Sequence, residues 1–243
     1  MRHWIAKRYW LIGASDGLGA ALAERMSRAG VELVLSARSA DRLEALAARL
    51  PGRASVQVID VADADSVAQA AAAVGPVDGV VFLAGVYWPF GARDWNAEQA
   101  VQMADVNFTG LVRVMGAVVP QMVARDRGHI VITSSLTAFR GLPGSIGYTA
   151  SKAGSLSLAE CMRADLRKTG VEVQVVLPGF IKTRLTDRND FHMPQLMSPE
   201  TAARYMFDHM GSDRFKCSFP GAFSLLFRGA QVLPDWLYFR LFS

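Results

Sequence analysis

The chain has 243 residues, 51% of them hydrophobic, which is enough apolar material for one sizeable domain with a buried core. The net charge of +4 is small and spread along the chain, and neither finger nor helix-turn-helix spacing occurs, so we expect no nucleic-acid partner. The two cysteines, Cys161 and Cys217, predict no metal site and are typical of reduced thiols, and Cys161 is predicted to face packed helices. Strand-like and helical segments alternate without a linker, which predicts a parallel sheet with helices on both faces.

The first predicted strand, residues 8–12, leads into a glycine-rich turn at 13–19 and a helical pattern at 20–29. Glycines at this spacing permit a tight turn and close backbone approach, and they direct helix N-terminal N–H groups at a pyrophosphate. An ordinary turn is the alternative. The candidate binding residues of this turn are Gly13, Ser15, Asp16, Gly17, Leu18 and Gly19.

The second predicted strand, residues 31–38, ends in Ala37 and Arg38. In dinucleotide-binding folds an acidic residue at this point binds the ribose hydroxyls, whereas an arginine accommodates a 2′-phosphate. Because the acid is replaced by Ala37 and a guanidinium matches phosphate geometry, we predict a preference for NADPH, with Ser15 and Ser39 adding hydrogen bonds to the phosphate. An Arg38 that only faces solvent is the alternative.

Two further strands and a long helix follow. The third strand, residues 54–59, ends at Asp60, whose carboxylate could also cap a helix at 63–74 or a nearby turn. The fourth strand spans 77–85. Asn107 lies inside a helical pattern at 97–123, where asparagine is unfavourable because its side chain competes for backbone hydrogen bonds.

Three side chains late in the chain form a candidate catalytic set. Residues 129–135 are predicted to be a buried strand that ends in hydroxyls, and α/β enzymes place their chemistry just beyond such strand ends, so Ser135 is expected at the substrate. Tyr148 and Lys152 are four residues apart and share one face of a predicted helix. A nearby ammonium favours the phenolate and lowers the pKa of the tyrosine, so Tyr148 could pass a proton at neutral pH. A chance surface pair is the alternative.

The glycine turn together with Ser135, Tyr148 and Lys152 resembles the short-chain dehydrogenase/reductase family over about residues 8–185. The resemblance implies a single Rossmann-type domain with a doubly wound parallel sheet of about seven strands. It also implies NADP(H) as cofactor, a small carbonyl or alcohol substrate, no metal, and a homodimer or homotetramer.

The resemblance further implies roles for individual residues. Ser135 would bond the substrate oxygen, Tyr148 exchange the proton, Lys152 hold the nicotinamide ribose and tune Tyr148, and Asn107 hold a water that connects Lys152 to solvent. An adenine clamp and contacts near the nicotinamide are implied for Asp60, Val61, Ala84, Gly85, Pro178, Gly179, Ile181 and Thr183. The chain departs from the pattern at Ile12 and Leu83, where relatives have a threonine and an asparagine, and apolar packing is expected to replace their hydrogen bond.

Beyond the sixth predicted strand at 171–177 the resemblance says less. Residues 184–200 occupy the slot of a substrate loop, and residues 213–243 form an apolar extension that could be a pocket wall, an oligomer surface or an amphipathic membrane segment. We expect the extension to pack on the domain or on a partner chain rather than on a membrane. The charged N-terminus leaves no room for the apolar core of a signal peptide, so the cytoplasm is the expected location.

These patterns predict an NADPH-dependent carbonyl reductase, reversible as an alcohol dehydrogenase. The aromatic residues Trp88, Phe90, Trp95 and Phe139 favour a hydrophobic substrate. Two alternatives remain. A catalytically silent NADP(H)-binding sensor would bind NADPH without turnover, and a peripheral membrane scaffold would depend on residues 219–243.

Overall fold

The computed structural model describes residues 2–190 and 193–242. Residues 191–192 of the predicted substrate loop and residue 243 of the predicted extension lie outside the described residues.

Seven parallel strands form one sheet in the order β3-β2-β1-β4-β5-β6-β7 within this part of the chain. The strands are β1 Arg8–Ile12, β2 Glu32–Ser36, β3 Ala54–Val56, β4 Gly79–Phe82, β5 Gly128–Thr133, β6 Val171–Pro178 and β7 Lys216–Phe219. Strands β4 and β5 are buried at every position, as expected for the centre of a sheet covered on both faces. The predicted doubly wound sheet in a single domain is confirmed.

Helices cover both faces of the sheet. They are α1 Gly17–Arg28, α2 Ala40–Arg49, α3 Ala64–Val74, α4 Ala97–Ala104, α5 Gly110–Ala124, α6 Ile146–Asp165, α7 Pro199–Met210, α8 Gly221–Ala230 and α9 Asp235–Phe242. One apolar cluster joins the sheet to α3, α5, α6 and α8, and a second joins it to α1, α2 and α7. Ile12 belongs to the first cluster and Leu83 packs against the second, so apolar packing fills both positions at which the chain departs from the family pattern.

The long helix predicted at 97–123 is interrupted. A π-helical turn, Asp105–Thr109, separates α4 from α5 and contains Asn107. The combined helix Ala97–Ala124 is long and apolar enough to span a membrane. However, 44% of its most apolar stretch is buried inside the protein, and α5 packs in the first apolar cluster. Cys161 on α6 is exposed, so the prediction that it faces packed helices is wrong: its position is on the outer face of α6.

A buried chain of polar side chains crosses the sheet near the N-terminal ends of its strands. Gln174 donates its amide N–H groups to the carbonyls of His209, Ser212 and Arg214 at 2.7–3.1 Å. Its oxygen therefore accepts from Nε2 of His129 at 2.8 Å, which leaves Nδ1 of His129 to accept from the Tyr9 hydroxyl at 2.8 Å. A β-carbon on Gly79 would lie 2.2 Å from the Tyr9 ring, so glycine is required beside this tyrosine.

Candidate functional site

A cavity of about 340 Å³ opens at the carboxyl ends of the central strands. Every residue predicted to contact the cofactor lines this cavity. These residues are Gly13, Ser15, Asp16, Gly17, Leu18, Gly19, Arg38, Ser39, Asp60, Val61, Ala84, Gly85, Tyr148, Lys152, Pro178, Gly179, Ile181 and Thr183. Ser135 and Asn107 each contact a residue of this lining, Ser135 through Tyr148 and Asn107 through Val86.

The glycine turn has the shape that a dinucleotide phosphate requires. Gly13 adopts a positive φ of 96°, and a β-carbon there would lie 2.5 Å from the backbone nitrogen of Ala84. A β-carbon on Gly19 would lie 2.1 Å from the carbonyl oxygen of Gly13. The bare backbone therefore passes directly into the N-terminus of α1, where N–H groups and the helix dipole favour an anion.

Asp16 has a structural role in this turn. Its carboxylate caps α1 by accepting from the Gly17 N–H at 2.7 Å, and it pairs with the guanidinium of Arg184. Arg184 also lines the cavity and was missed by sequence reasoning, because only the fold brings the segment after β6 over the start of α1.

The far end of the cavity is basic. Ala37, Arg38, Ser39 and Arg42 line it, and Ser39 is the N-cap residue of α2 although its side chain makes no capping hydrogen bond. The Ser39 hydroxyl is therefore available at a helix N-terminus between two guanidinium groups. Sequence reasoning missed Arg42, although its position four residues after Arg38, in the first turn of α2, carried the signal.

Two residues that line the cavity, Asp60 and Val61, also support local structure. The Asp60 carboxylate accepts from the Ala62 N–H at 3.0 Å, so the turn that was left open as an alternative does form, and Asp60 lines the cavity as well. A β-carbon on Gly110, at the start of α5, would lie only 2.9 Å from the Val61 side chain, so glycine is required at that position.

The structure brings Ser135, Tyr148 and Lys152 together. Ser135 follows the end of β5 and is hydrogen-bonded to the Tyr148 hydroxyl. Tyr148 and Lys152 lie one turn apart on α6, with Lys152 Nζ 5.7 Å from the centre of the Tyr148 ring. Lys152 Nζ donates to the carbonyl of Thr133 at 3.0 Å, at the last residue of β5. The strand end therefore fixes both the serine and the ammonium group.

Burial controls the protonation of this set. It raises the pKa of Tyr148 to about 12, although the hydrogen bond from Ser135 acts in the opposite direction. It lowers the pKa of Lys152 to about 8. The predicted lowering of the Tyr148 pKa is therefore wrong for this structure, because loss of solvation outweighs the hydrogen bond from Ser135. At neutral pH Tyr148 carries its proton and most Lys152 side chains are charged.

Asn107 holds the segment after β4 against α6. Its oxygen accepts from the Val86 N–H at 2.7 Å, and its amide donates to the Val86 carbonyl at 2.9 Å and to Ser151 Oγ at 3.1 Å. A β-carbon on Gly85 would lie 3.4 Å from Asn107 Oδ1 and 3.6 Å from Lys152 Nζ, so both polar atoms converge on this glycine. Asn107 is therefore a buried amide that is bonded to backbone and to a side chain of α6.

One aromatic side chain lies directly against Tyr148, and a second aromatic residue follows it in the chain. The Tyr87 ring packs edge-on against the Tyr148 ring, with 5.1 Å between the ring centres. The Tyr87 hydroxyl is hydrogen-bonded to Ser145, the residue before α6. The Arg188 guanidinium lies 4.6 Å from the Trp88 ring and donates to the Tyr87 carbonyl at 3.1 Å. Sequence reasoning named Trp88 but missed Tyr87, whose position next to Tyr148 depends on the chain turn after β4.

Comparison with known proteins gives one family. The short chain dehydrogenase profile matches residues 7–193. An uncharacterized oxidoreductase of Myxococcus xanthus is 40% identical over 233 residues, covering 93% of this chain and 92% of that protein. The 1-deoxy-11-beta-hydroxypentalenate dehydrogenase of Streptomyces exfoliatus is 36% identical over 217 residues, covering 84% of this chain and 79% of that protein.

A solved structure agrees with the sequence matches. A short-chain dehydrogenase from Sphingobium yanoikuyae in complex with NADPH superimposes with a TM-score of 0.83 at 26% identity, and the alignment covers 94% of this chain and 97% of that one.

Proposed function

Because the chain belongs to the short-chain dehydrogenase family and is thus a nicotinamide-dependent oxidoreductase of CH–OH or carbonyl groups, we propose that it reduces a hydrophobic ketone or aldehyde with NADPH. One observation carries the proposal: a protonated Tyr148, bonded to Ser135, lines the same cavity as the basic cluster of Arg38 and Arg42. Such a tyrosine is prepared to give a proton, which is what carbonyl reduction requires.

The preference for NADPH is supported by the ribose end of the cavity. The guanidinium groups of Arg38 and Arg42, together with the Ser39 hydroxyl, which makes no capping hydrogen bond, offer several donors to a 2′-phosphate. Ala37 has no carboxylate that could bind the hydroxyls of an unphosphorylated ribose. The match to an NADPH-bound relative agrees with this assignment but concerns that protein.

When bound, the cofactor supplies the hydride that is added to the carbonyl carbon. The chain's own residues act on the oxygen. The Ser135 and Tyr148 hydroxyls donate to it, and Tyr148 transfers its proton as the carbon is reduced, so the product is an alcohol and a phenolate remains on the enzyme. The charged Lys152, held by Thr133, stabilises that phenolate, and proton return is proposed to pass Lys152 toward Asn107.

The aromatic side chains support a hydrophobic substrate. The Tyr87 ring contacts the Tyr148 ring, Trp88 follows Tyr87 in the chain, and Phe180 follows the Pro178-Gly179 segment that lines the cavity. Apolar and aromatic walls with few polar groups are typical of sites that bind hydrophobic small molecules.

The experiment is NADPH and NADH oxidation by purified protein against carbonyl compounds from short ketones to acyl thioesters and steroid ketones. We expect faster turnover with NADPH. Arg38→Ala should lower kcat/KM for NADPH about 10- to 100-fold, because hydrogen bonds to a charged phosphate are lost, and should leave the NADH rate unchanged. Faster NADH use by the wild type would overturn the NADPH assignment. Binding of NADPH without turnover of any carbonyl, or of any alcohol in reverse, would favour the silent sensor.

A further inference from the structure

Helices α8 and α9 and the connection between them expose a set of apolar side chains, here called the apolar ridge. On α8 the positions one turn apart, Ala222, Leu225, Leu226 and Gly229, all face solvent, and the connection to α9 exposes Val232. On α9 the ridge continues through Trp236 and Phe239, which are 69% and 60% exposed. Among the described residues, six of the fourteen large exposed hydrophobic side chains lie between 225 and 241. The extension was expected to pack on the domain or on a partner chain, and these exposed side chains do not pack on the domain.

The ridge is exposed because the opposite faces of the two helices are firmly attached. Phe223 and Phe227 pack against the first apolar cluster, and Tyr238 is 2% exposed. Arg140 donates to the carbonyls of Ala230 and Leu233 at 2.7 Å each. The helices therefore cannot turn the ridge inward without breaking these contacts.

Among the described residues, the unpaired charges of segment 221–242 are positive. Asp235 is the acidic residue of segment 221–242, and it is paired with Arg140. Arg228 and Arg240 are exposed and, in the part of the chain that the structure describes, pair with no carboxylate. The apolar ridge is thus bordered by two uncompensated guanidinium groups.

We propose that the apolar ridge docks on an anionic phospholipid surface. Leucine, phenylalanine and tryptophan side chains on short amphipathic helices enter the headgroup boundary, while arginines beside them attract lipid phosphate. A second copy of the chain fits less well, because a two-fold contact presents the same face from both partners and would gather four uncompensated arginines in one interface.

Helix α8 carries ridge residues on its outer face and contacts the substrate side of the candidate site with its inner face. On the inner face of α8, Phe223 lies 5.8 Å from the Phe180 ring, and a β-carbon on Gly179 would be 3.2 Å from Phe223. Gly179 lines the cavity. Docking would therefore bring the substrate side next to the lipid, so that a lipid-dissolved carbonyl compound could enter. This last step rests on the proposed function, whereas the docking itself does not.

The test is co-sedimentation of the full-length protein with vesicles of phosphatidylcholine alone or with 30% phosphatidylglycerol. Wild-type protein should bind the anionic vesicles. Leu225→Glu and Trp236→Glu should each weaken binding about tenfold or more, because apolar area no longer leaves water. Arg228→Gln with Arg240→Gln should weaken it about fivefold per arginine. Ile5→Glu is the matched control, because Ile5 and Leu225 are each 65% exposed and Ile5 lies outside the ridge.

NADPH binding and the thermal midpoint of each variant show that it is folded, and neither readout requires turnover. Failure of the lipid proposal is thus separable from failure of the proposed reaction. The lipid proposal would be overturned by no binding to either vesicle, or by binding that Leu225→Glu and Trp236→Glu leave unchanged. A dimer in solution that these two variants dissociate, without vesicle binding, would also overturn it and would assign the ridge to a second copy.

Discussion

The two ends of the sheet each bury a tyrosine beside a basic side chain. At the carboxyl end these are Tyr148 and Lys152, and near the N-terminal end they are Tyr9 and His129. Burial moves the pKa values in the same directions at both ends: it raises those of the tyrosines and lowers those of the bases. A shifted pKa alone therefore does not distinguish a candidate catalytic group from a structural one.

The difference lies in the surroundings. Tyr9, His129 and Gln174 satisfy one another in a closed chain of hydrogen bonds. Tyr148 and Lys152 instead line a cavity that can admit a ligand. A buried polar group with its partners already in place stabilises the fold, whereas one that faces open space can act on a substrate. The same substitution, tyrosine to phenylalanine, therefore tests both assignments.

Tyr148→Phe is expected to have the largest effect. It removes the proton donor but keeps the ring that Tyr87 contacts, so carbonyl reduction should fall about 10²- to 10⁴-fold. NADPH affinity and the free energy of unfolding should change little. Steady-state rates and a urea titration check this expectation, and a variant that retains most of the wild-type rate would remove Tyr148 from the mechanism.

Tyr9→Phe should show the reverse pattern. It deletes the hydroxyl that donates to Nδ1 of His129 and leaves a buried acceptor without a partner, which should cost about 1–3 kcal/mol of unfolding free energy. The reduction rate per folded molecule should stay at the wild-type value. Urea unfolding and active-site titration measure the two quantities, and a loss of rate without a loss of stability would contradict the structural assignment.

The pH dependence of the rate tests Lys152. Burial lowers the pKa of Lys152 to about 8, so its charged form is present below that pH and is lost above it. If the charge supports proton transfer, kcat/KM should fall about tenfold per pH unit above 8. Lys152→Arg keeps a charge throughout this range, so whatever activity it retains should be flat to about pH 10. If kcat/KM of the variant showed the same decline above pH 8, the decline would belong to a group other than Lys152.

Most of the fold was predictable because its signals are local. Continuous apolar runs marked the central strands, and the glycine turn marked the first helix. Strand β7 was missed as an element because Lys216–Phe219 has four residues and is only half-buried, without an apolar run. Helix α8 was missed because leucine and phenylalanine occupy both its inner and outer faces, so no helical period stands out.

The site was predictable as a set of residues but not in its energetics. The family resemblance grouped Ser135, Tyr148 and Lys152, whereas their spacing alone left a chance surface pair open. The raised pKa of Tyr148 depends on burial, which elements distant in sequence produce together. Arg184 and Tyr87 belong to loops that only the assembled fold brings to the cavity and to Tyr148. Composition carries no signal of such long-range placement.

The last effect we expect is an acid sensitivity that originates at His129, near the N-terminal ends of the strands. Burial first, and then the charge of Arg2, lowers the pKa of His129 to about 3, from 6.5 for an ordinary histidine. Between those values the unfolded chain binds a proton that the folded protein does not bind. Stability is therefore highest above pH 6.5 and should fall by about 1.4 kcal/mol per pH unit below it on account of His129.

The variant His129→Gln tests this origin. The glutamine can still accept from Tyr9 and donate to Gln174, but it does not titrate, so the unfolding free energy of the variant should depend less on pH. Urea titrations at pH 7, 6 and 5 decide the matter, because equal slopes for the two proteins would mean that other groups bind the proton.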